Sequence, residues 1–473
     1  MMAKINALLQ TEILATHRAK DASVRRKQLK EATMHIRLIT CSLSLVLLLS
    51  GAASGASPSI QVGMGKTEIT PQEPMPLWGY SSRKEPFANV YDPLYCRTIL
   101  FHDGKMTAAI VSLDLGRTPP GHWVDTIRTR ARDVFGIDQL LLAATHTHAA
   151  PHMGSNHAPI PWIESVAAQI YRSIEIAKAN MQAAHFKVGQ GEVDITYDRR
   201  VVNDDGSVTM LWQNHQRERT KPVDQRIKVL QINNRSDQAI ATLVHYACHP
   251  VIGGSKNLGV SADIPGVICS YVGKHVGGEC LFLQGACGEI NPYLAGLLQE
   301  DRDAYPQLVA EAEKAAKAIV GVVKASKPVA AGDYTIRYQE ASVRFGFRHP
   351  LDDERLSKML NTYYSEAEIK EISQSEDAME ASLSILMLGK TFAWVGFPGE
   401  FFGAFQIDLA QRSPVEHTYF VGYCNGYYSY FPTIQAAAEG GYGASWGLIA
   451  AAGTGERFVD QAIIALYQLL GLL

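Results

Sequence analysis

Two histidines, His146 and His148, follow directly after an apolar segment at residues 140–144. In extended backbone, residues two apart point to the same side, so both imidazoles can address one centre. Neutral imidazole is a good zinc ligand, and catalytic zinc sites use three protein ligands and keep one position open for water. The alternative is an ordinary surface or hydrogen-bonded pair. His152 and His157 follow in a stretch broken by Gly and Pro, which is typical of a solvated loop.

A third histidine and a carboxylate extend this candidate ligand set. His249 precedes Pro250, which disfavours helical backbone at the histidine. Glu400 stands between apolar neighbours, and a carboxylate buried without a partner is costly, so a cation would compensate its charge. The alternatives are a solvated loop histidine and a glutamate that faces the dipole of a helix over residues 400–412. Two histidines and one glutamate are the ligands of many hydrolytic zinc sites.

These residues share a position just past the carboxyl end of an apolar segment. Five such ends carry polar residues, at 145–148, 248–250, 285–292, 397–400 and 423–427. Open α/β sheets bind ligands outside the carboxyl ends of their strands, so we expect the five ends to meet at one site.

The apolar segments themselves predict the elements that must position the site. Short runs rich in β-branched and aromatic residues predict strands, and longer runs with helical spacing predict helices. We expect antiparallel hairpins at 193–212 and 384–395. The interleaving favours an α/β fold with mixed β-sheets flanked by helices, in a single large catalytic domain. The predicted strands are 97–101, 108–113, 139–144, 227–232, 240–246, 280–284, 392–396 and 419–423, and the predicted helices are 123–135, 162–181, 303–326 and 354–373.

The composition is that of a globular protein, with 473 residues of which 47% are hydrophobic and 19% charged. The formal net charge is -3, and the densest basic cluster lies near the N-terminus, so we expect no nucleic-acid partner. After Met34 the chain has a basic residue, Arg37, then an apolar run at 38–49 and small residues at 50–56. This order is the layout of a secretory signal peptide.

We therefore expect an exported protein, periplasmic or secreted after cleavage of the signal. The apolar run is shorter than the roughly 20 residues that a membrane span needs, and an uncleaved anchor is the alternative. We assign residues 1–57 to an N-terminal extension and signal peptide and residues 58–473 to the catalytic domain. Cys41 belongs to the signal; the six remaining cysteines form no CxxC pair, and their disulfide pairing is left open.

Six motifs in matching order give the chain its resemblance to a known family. They are Gly-Met-Gly-Lys-Thr-Glu-Ile-Thr-Pro at 63–71, Thr-His-Thr-His at 145–148, His-Pro at 249–250, Gln-Gly-Ala-Cys-Gly-Glu-Ile-Asn-Pro at 284–292, Phe-Pro-Gly-Glu-Phe at 397–401 and Asn-Gly-Tyr-Tyr-Ser-Tyr at 425–430. With these motifs the chain resembles the neutral/alkaline (non-lysosomal) ceramidase family, N-terminal catalytic domain, from about residue 62 to the C-terminus.

The resemblance implies a site around one Zn²⁺ per chain. It implies zinc ligands at His146, His249, Glu400 and Tyr430, and substrate-facing side chains at His148, Arg199 and Tyr442. Tyr430 could instead be an ordinary aromatic of a tyrosine-rich loop, and Arg200 could take the role of Arg199. Asp114 and Asp263 are suggested as hydrogen-bond acceptors behind the ligands.

Two departures from the family matter. Larger members carry a serine, sometimes assigned as nucleophile, where this chain has Asn291, so we expect no acyl-enzyme, and we place Asn291 among the residues lining the pocket. The chain also ends soon after a predicted helix at 457–470, without the family's C-terminal β-rich domain, which weakens the expectation of ceramide itself as substrate.

The expected function is hydrolysis of an N-acyl amide, ceramide-like or related, by a zinc-activated water. His148 would carry the proton, and Arg199 and Tyr442 would donate hydrogen bonds to the oxyanion or to a polar substrate group. Trp212, Phe401 and Phe402 would accommodate an acyl chain or belong to the core.

The partner is therefore a small-molecule amide or lipid, and the resemblance allows a transient contact with a membrane surface. The oligomeric state is left open. The alternatives are a deacylase or peptidase-like hydrolase of a smaller amide, derived from peptidoglycan, an amino sugar or an amino acid, and a non-catalytic binding protein that retains the pocket.

Overall fold

The computed structural model describes residues 60–153, 159–330, 332–350, 352–374 and 378–473. The predicted N-terminal extension, signal peptide and His157 lie outside the described residues. The strands are β1 (Gln61–Glu68), β2 (Asn89–Val90), β3 (Tyr95–His102), β4 (Thr107–Leu113), β5 (Gln139–Ala144), β6 (Gln182–Glu192), β7 (Thr196–Asp198), β8 (Arg200–Val202), β9 (Val208–Met210), β10 (Arg226–Asn234), β11 (Ala239–Tyr246), β12 (Gly259–Val260), β13 (Glu279–Gln284), β14 (Ile290–Pro292), β15 (Lys327–Pro328), β16 (Ile336–Gly346), β17 (Ala378–Leu388), β18 (Phe392–Gly396), β19 (Glu400–Phe401), β20 (His417–Val421) and β21 (Tyr430–Phe431).

Helices alternate with these strands along the chain. They are α1 (Gly121–Phe135), α2 (Ile160–Ala179), α3 (Asp263–Val276), α4 (Leu297–Glu300), α5 (Tyr305–Lys324), α6 (Glu354–Tyr363), α7 (Glu366–Ser373), α8 (Gly403–Arg412), α9 (Ile434–Glu439) and α10 (Thr454–Leu469), with a 3₁₀ turn at Arg302–Ala304.

Two mixed sheets form the centre of the fold. The larger has the order β13-β11-β10-β6-β1-β3-β4-β5, with β15 paired to β6, and the smaller has the order β16-β17-β18-β20. Most neighbours are antiparallel, but β11–β13, β4–β5 and β18–β20 are parallel. The predicted α/β class with mixed sheets and flanking helices is confirmed.

The two sheets bury one face of each against the other. Phe101 and Leu141 of the larger sheet share a buried apolar cluster with Leu386 and Trp394 of the smaller one, and the rings of Phe101 and Trp394 stack with centroids 5.4 Å apart. Full burial of one such side chain contributes about 1.5–3 kcal/mol, so this layer is a major source of the stability that holds the strand ends in place.

Helices cover the outer faces of both sheets. Helix α2 lies against β1 and β3, helices α3 and α5 pack together, with α3 against β13 and α5 against β6 and β10, and α10 packs on β16. The glycines of the first motif permit the α2 contact, because a Cβ on Gly63 would lie 2.0 Å from the carbonyl oxygen of Ala177 and one on Gly65 would lie 1.9 Å from that of Ser173. All described residues belong to one compact unit.

Several predicted boundaries are confirmed and several elements differ. The strand at 139–144 agrees with β5, and the hairpins at 193–212 and 384–395 correspond to the β8–β9 and β17–β18 pairs. The predicted helix at 354–373 is two helices, α6 and α7, and the sequence patterns did not reveal β6, β16 or α3. The helix proposed at 400–412 begins only at Gly403, and Glu400 lies in the short strand β19 instead.

Two further properties concern the chain as a whole. None of the helices in the described ranges combines the length and hydrophobicity that a membrane crossing requires. The six cysteines outside the signal segment are all buried and carry free thiols.

Candidate metal centre

The carboxyl ends of β5 and β11 are held together by one glutamine that the sequence analysis missed. Gln284, the last residue of β13, donates hydrogen bonds from Nε2 to the carbonyl oxygens of Thr145 (3.0 Å) and Cys248 (2.8 Å), and its Oε1 accepts one from the Cys248 amide at 3.0 Å. His146 directly follows Thr145, and His249 directly follows Cys248. Gln284 therefore fixes the distance between the two histidine loops.

His146 adopts a left-handed backbone conformation with φ 69°. The expectation that His146 and His148 converge through extended backbone is therefore wrong, because β5 ends at Ala144 and both histidines lie beyond it. A non-glycine residue in this region costs about 1–3 kcal/mol and persists only where its surroundings enforce it. Here the His146 amide donates to the Leu115 carbonyl at 2.9 Å and its Nδ1 bonds to the carbonyl of Gly116.

Three imidazole nitrogens converge at this point. Nε2 of His146 lies 3.0 Å from Nε2 of His249 and 3.2 Å from Nε2 of His148, and the last two are 3.2 Å apart. His146 and His249 are fully buried. Their geometry fits one metal ion, and it brings His148 into the cluster beside the two histidines predicted as ligands.

The hydrogen bonds on the far side of two rings determine what the centre can hold. His146 Nδ1 lies 2.6 Å from the Gly116 carbonyl and His249 Nδ1 lies 3.0 Å from the Cys287 carbonyl. Since a carbonyl only accepts, each Nδ1 carries a hydrogen, which leaves Nε2 as the ring atom that can offer a lone pair to a cation at the centre. Burial lowers the pKa of His249 well below its usual range, with His146 adding to the effect, so the ring is in its neutral, ligand form.

Glu400 adds a negative charge to the same centre. Its Oε2 lies 3.2 Å from His146 Nε2 and 3.7 Å from His249 Nε2, and it accepts no well-aligned hydrogen bond. Tyr427 donates to Oε1 at 2.5 Å. Burial alone would raise the pKa of Glu400, but the neighbouring imidazoles and the Tyr427 hydroxyl lower it to about 2. Two imidazole nitrogens and a carboxylate directed at one buried point are the donor set of a divalent cation, and the residues fit zinc.

Tyr430 stands next to Glu400 because β19 and β21 pair in parallel with these two residues in register. Its hydroxyl accepts a hydrogen bond from Nη2 of Arg199 at 3.2 Å. Arg199 also donates from Nη1 to Oδ1 of Asn291 at 3.3 Å and from Nη2 to the Gly288 carbonyl at 2.6 Å. Tyr442 lies beside them, with its ring 5.1 Å from that of Tyr430. The structure thus brings together the residues that the family resemblance assigned to metal and substrate.

A cavity of about 520 Å³ opens beside the cluster. The residues predicted to face the substrate or to line the pocket all contribute to its wall: His148, Arg199, Asn291 and Tyr442. The predicted ligand Tyr430 also lines it. Burial lowers the pKa of His148 well below its usual range, and repulsion from a protonated His146 and from Arg83 would add to this effect. The ring that faces the cavity is therefore neutral.

Other predicted residues lie outside the centre. Arg200 is bound to Glu439 at 3.1 Å, so Arg199 and not Arg200 faces the cavity. Asp114 pairs with Arg97 at 2.7 Å, and it precedes the loop whose Gly116 carbonyl bonds to His146. Asp263 accepts from the amide of Ile252 at 3.1 Å.

The apolar candidates divide between the cavity and the core. Trp212 lines the cavity and is 45% exposed, whereas Phe401 and Phe402 belong to a buried core cluster. His152 packs edge-on against the ring of Trp78 at 5.3 Å.

Comparisons with known proteins agree with this geometry. The family model described as "Neutral/alkaline non-lysosomal ceramidase, N-terminal" matches residues 60–297, half of the chain. The neutral ceramidase of Drosophila pseudoobscura pseudoobscura is 22% identical over 280 residues, 53% of this chain and 38% of the relative. The neutral ceramidase of Pseudomonas aeruginosa (strain PAO1) is 29% identical over 167 residues, 32% of this chain and 25% of the relative. The matched regions thus span well under half of either relative.

Two solved structures share the fold. A ceramidase complexed with C2 superposes with a TM-score of 0.66 at 17% identity, over 87% of this chain and 76% of that chain. The neutral ceramidase from Pseudomonas aeruginosa gives a TM-score of 0.65 at 17% identity, over 87% of this chain and 75% of that chain.

Proposed function

Because this chain belongs to the neutral/alkaline non-lysosomal ceramidase family, we propose that it is a zinc-dependent hydrolase that cleaves the amide bond of an N-acyl substrate, a ceramide-like N-acylsphingosine or a related amide. The observation that carries the proposal is the convergence of His146, His249 and Glu400 on one buried point beside an open cavity. His146, His249, Glu400 and Tyr430 would hold one zinc ion.

When bound, the zinc ion would lower the pKa of its water from about 16 to about 7 and polarise the amide carbonyl. The chain's own residues would do the rest. His148, neutral and at the cavity wall, would accept a proton at Nε2 and return it to the leaving nitrogen, a contribution of about 10²–10⁴-fold. Arg199 and Tyr442 would donate hydrogen bonds to the oxygen on which negative charge develops.

Asn291 supports direct attack by water. Its side chain is bound to Arg199 through Oδ1 and donates from Nδ2 to the Trp212 carbonyl at 3.4 Å. An amide group is no nucleophile toward a carbonyl carbon, so no acyl-enzyme would form at this position. Asn291 would instead orient the Arg199 guanidinium at the cavity wall.

We also propose that the protein is exported. The layout of residues 34–56 motivates this proposal, with residues 58–473 as the catalytic part after cleavage. N-terminal sequencing of the protein from a periplasmic or culture-medium fraction tests it: a start near residue 57 is expected, and an intact residue 1 in the cytoplasmic fraction contradicts it.

Hydrolysis of N-lauroylsphingosine, before and after removal of metal, tests the proposed activity. We expect laurate release by the protein as purified, loss of release after dialysis against a chelator, and return of release when one equivalent of zinc is added. Hydrolysis that persists in metal-free protein would contradict the zinc mechanism. A protein that binds the amide but releases no laurate, with or without zinc, would be a binding protein and not an enzyme.

A further inference from the structure

The cavity beside the candidate metal centre is bordered by an arginine that forms no ion pair with a carboxylate of the described residues. Arg199 is 4% exposed, and its acceptors are the Gly288 carbonyl, the Asn291 amide oxygen and the Tyr430 hydroxyl. Its Nε is buried without a hydrogen-bond partner. The carboxylates of Glu400, Asp198 and Glu289 act on it electrostatically without a direct ion pair, and the Glu400 charge would be shared with the metal.

A second buried arginine lies directly behind the same cavity wall. Arg83 is 5% exposed; it donates to the carbonyl oxygens of His148 (2.6 Å), Asn257 (3.0 Å) and Gly254 (3.5 Å), and also to that of Trp78. His148 and Gly254 themselves line the cavity. These neutral acceptors satisfy four guanidinium hydrogens but leave the charge uncompensated.

The described residues that line the cavity include no aspartate and no glutamate. At the rim, Glu300 accepts from Gln213 at 2.9 Å and is 53% exposed, so solvent screens its charge. The chain as a whole has a net charge of -3. The positive character of this cavity is therefore a local feature and does not reflect a basic protein.

Burial of a cation without a neighbouring anion is expensive, because the cation loses hydration that hydrogen bonds to carbonyls only partly replace. An anion entering the cavity would offset this cost, and a neutral ligand would not. Ser81 and Ser82 also line the cavity, and a serine hydroxyl is a donor that suits an oxyanion.

We propose that the cavity selects N-acyl amides whose amine part carries a carboxylate, that is, N-acyl amino acids, in preference to neutral amides. The inference rests on the proposed function. In the reaction, water adds to the acyl carbon, the C–N bond breaks, and the products are a fatty acid and an amino acid whose nitrogen takes up the proton. The positive charge of Arg83 would attract the substrate carboxylate and so favour its binding in the cavity.

Three amides with the same acyl group test the proposal in the zinc-loaded full chain: N-lauroylglycine, its neutral isostere N-lauroylglycinamide, and N-lauroylsphingosine. Laurate release is the common measurement. We expect kcat/KM for N-lauroylglycine to exceed that for N-lauroylglycinamide by at least about tenfold. Equal or faster hydrolysis of the two neutral amides overturns this inference and leaves the proposed function standing. Release from none of the three overturns both.

Variants at Arg83 then locate the source of the preference. Arg83→Met is expected to reduce the glycine-to-glycinamide ratio of kcat/KM at least about fivefold, while Arg83→Lys keeps the charge and preserves most of the ratio. Arg172→Met, which removes an exposed arginine on α2, is the matched control and should leave the ratio unchanged. A folded Arg83→Met protein with an unaltered ratio contradicts the role of Arg83. If that variant does not fold, the comparison of the three substrates in the wild-type chain decides the proposal.

Discussion

The hydroxyl of Tyr427 donates a hydrogen bond of 2.5 Å to Oε1 of Glu400 and so leaves Oε2 facing the histidines. Tyr427 is itself buried and packs edge-on against Trp78 with ring centroids 5.3 Å apart. Groups that orient a ligand carboxylate in this way tune metal affinity although they do not touch the metal.

We predict that Tyr427→Phe weakens zinc affinity by about 10–100-fold, because Glu400 loses the bond that fixes its rotamer. Competition with a zinc chelator of known affinity measures this change. Tyr171→Phe, on α2 and stacked on Phe135, is the control and should bind zinc like the wild type. Unaltered affinity in Tyr427→Phe would mean that the Glu400 carboxylate is positioned by other contacts or is not a ligand.

Substitution of the histidines separates metal binding from proton transfer. His146→Ala is expected to abolish stoichiometric zinc and to lower kcat/KM at least about a thousandfold, since both ligand and Lewis acid are lost. His148→Ala is expected to retain zinc and to lower kcat by about 10²–10⁴-fold. Metal analysis alongside laurate release distinguishes the two; a His148→Ala protein without zinc would identify His148 as a ligand.

Much of this site was predictable from the sequence, and the reason is positional. Strand patterns placed the histidines and Glu400 just past strand ends, and parallel pairing of β11 with β13 and of β18 with β20 brings such ends to one edge. The short apolar run of β5 and the helical spacing of α2 also predicted these two elements from the sequence.

The remainder depends on contacts distant in sequence. Gln284 bonds to carbonyls that are 139 and 36 residues away in sequence. No local sequence pattern predicts such a contact for a polar residue at the end of a strand. The left-handed φ of His146 is likewise imposed by the Leu115–Gly116 loop and not by its own propensity. Strand β6 lies inside the larger sheet, but its mostly half-buried pattern lacks the alternation by which strands are predicted from sequence.

The position of Asn291 leads to a prediction about the reaction intermediate. Asn291→Ser should form no acyl-enzyme, because the attacking group is water and the hydroxyl would only replace the bond to Arg199. Asn291→Ala should lower kcat/KM by about tenfold through a less ordered guanidinium. Intact-mass analysis after acid quench during turnover checks the first point. A laurate adduct on Asn291→Ser, or on the wild-type protein, would contradict the water mechanism.

Removal of metal should also destabilise the fold. Without a cation, two bare Nε2 lone pairs and the Glu400 carboxylate face one another in a buried site, and zinc at a thousandfold excess over its Kd would contribute about 4 kcal/mol. We expect chelation to lower Tm by about 5 °C or more and zinc to restore it. His146→Ala is the control, since its Tm should not respond to zinc. An equal response in wild type and variant would place the stabilising zinc elsewhere.

Anomalous diffraction at the zinc absorption edge tests whether His146, His249, Glu400 and Tyr430 share one zinc ion. We expect one strong anomalous peak per chain, about 2.0–2.2 Å from Nε2 of His146, Nε2 of His249 and Oε2 of Glu400, with the Tyr430 hydroxyl also within bonding distance. Zinc-loaded crystals that show no peak between these side chains, or show it at other residues, would refute this shared zinc site.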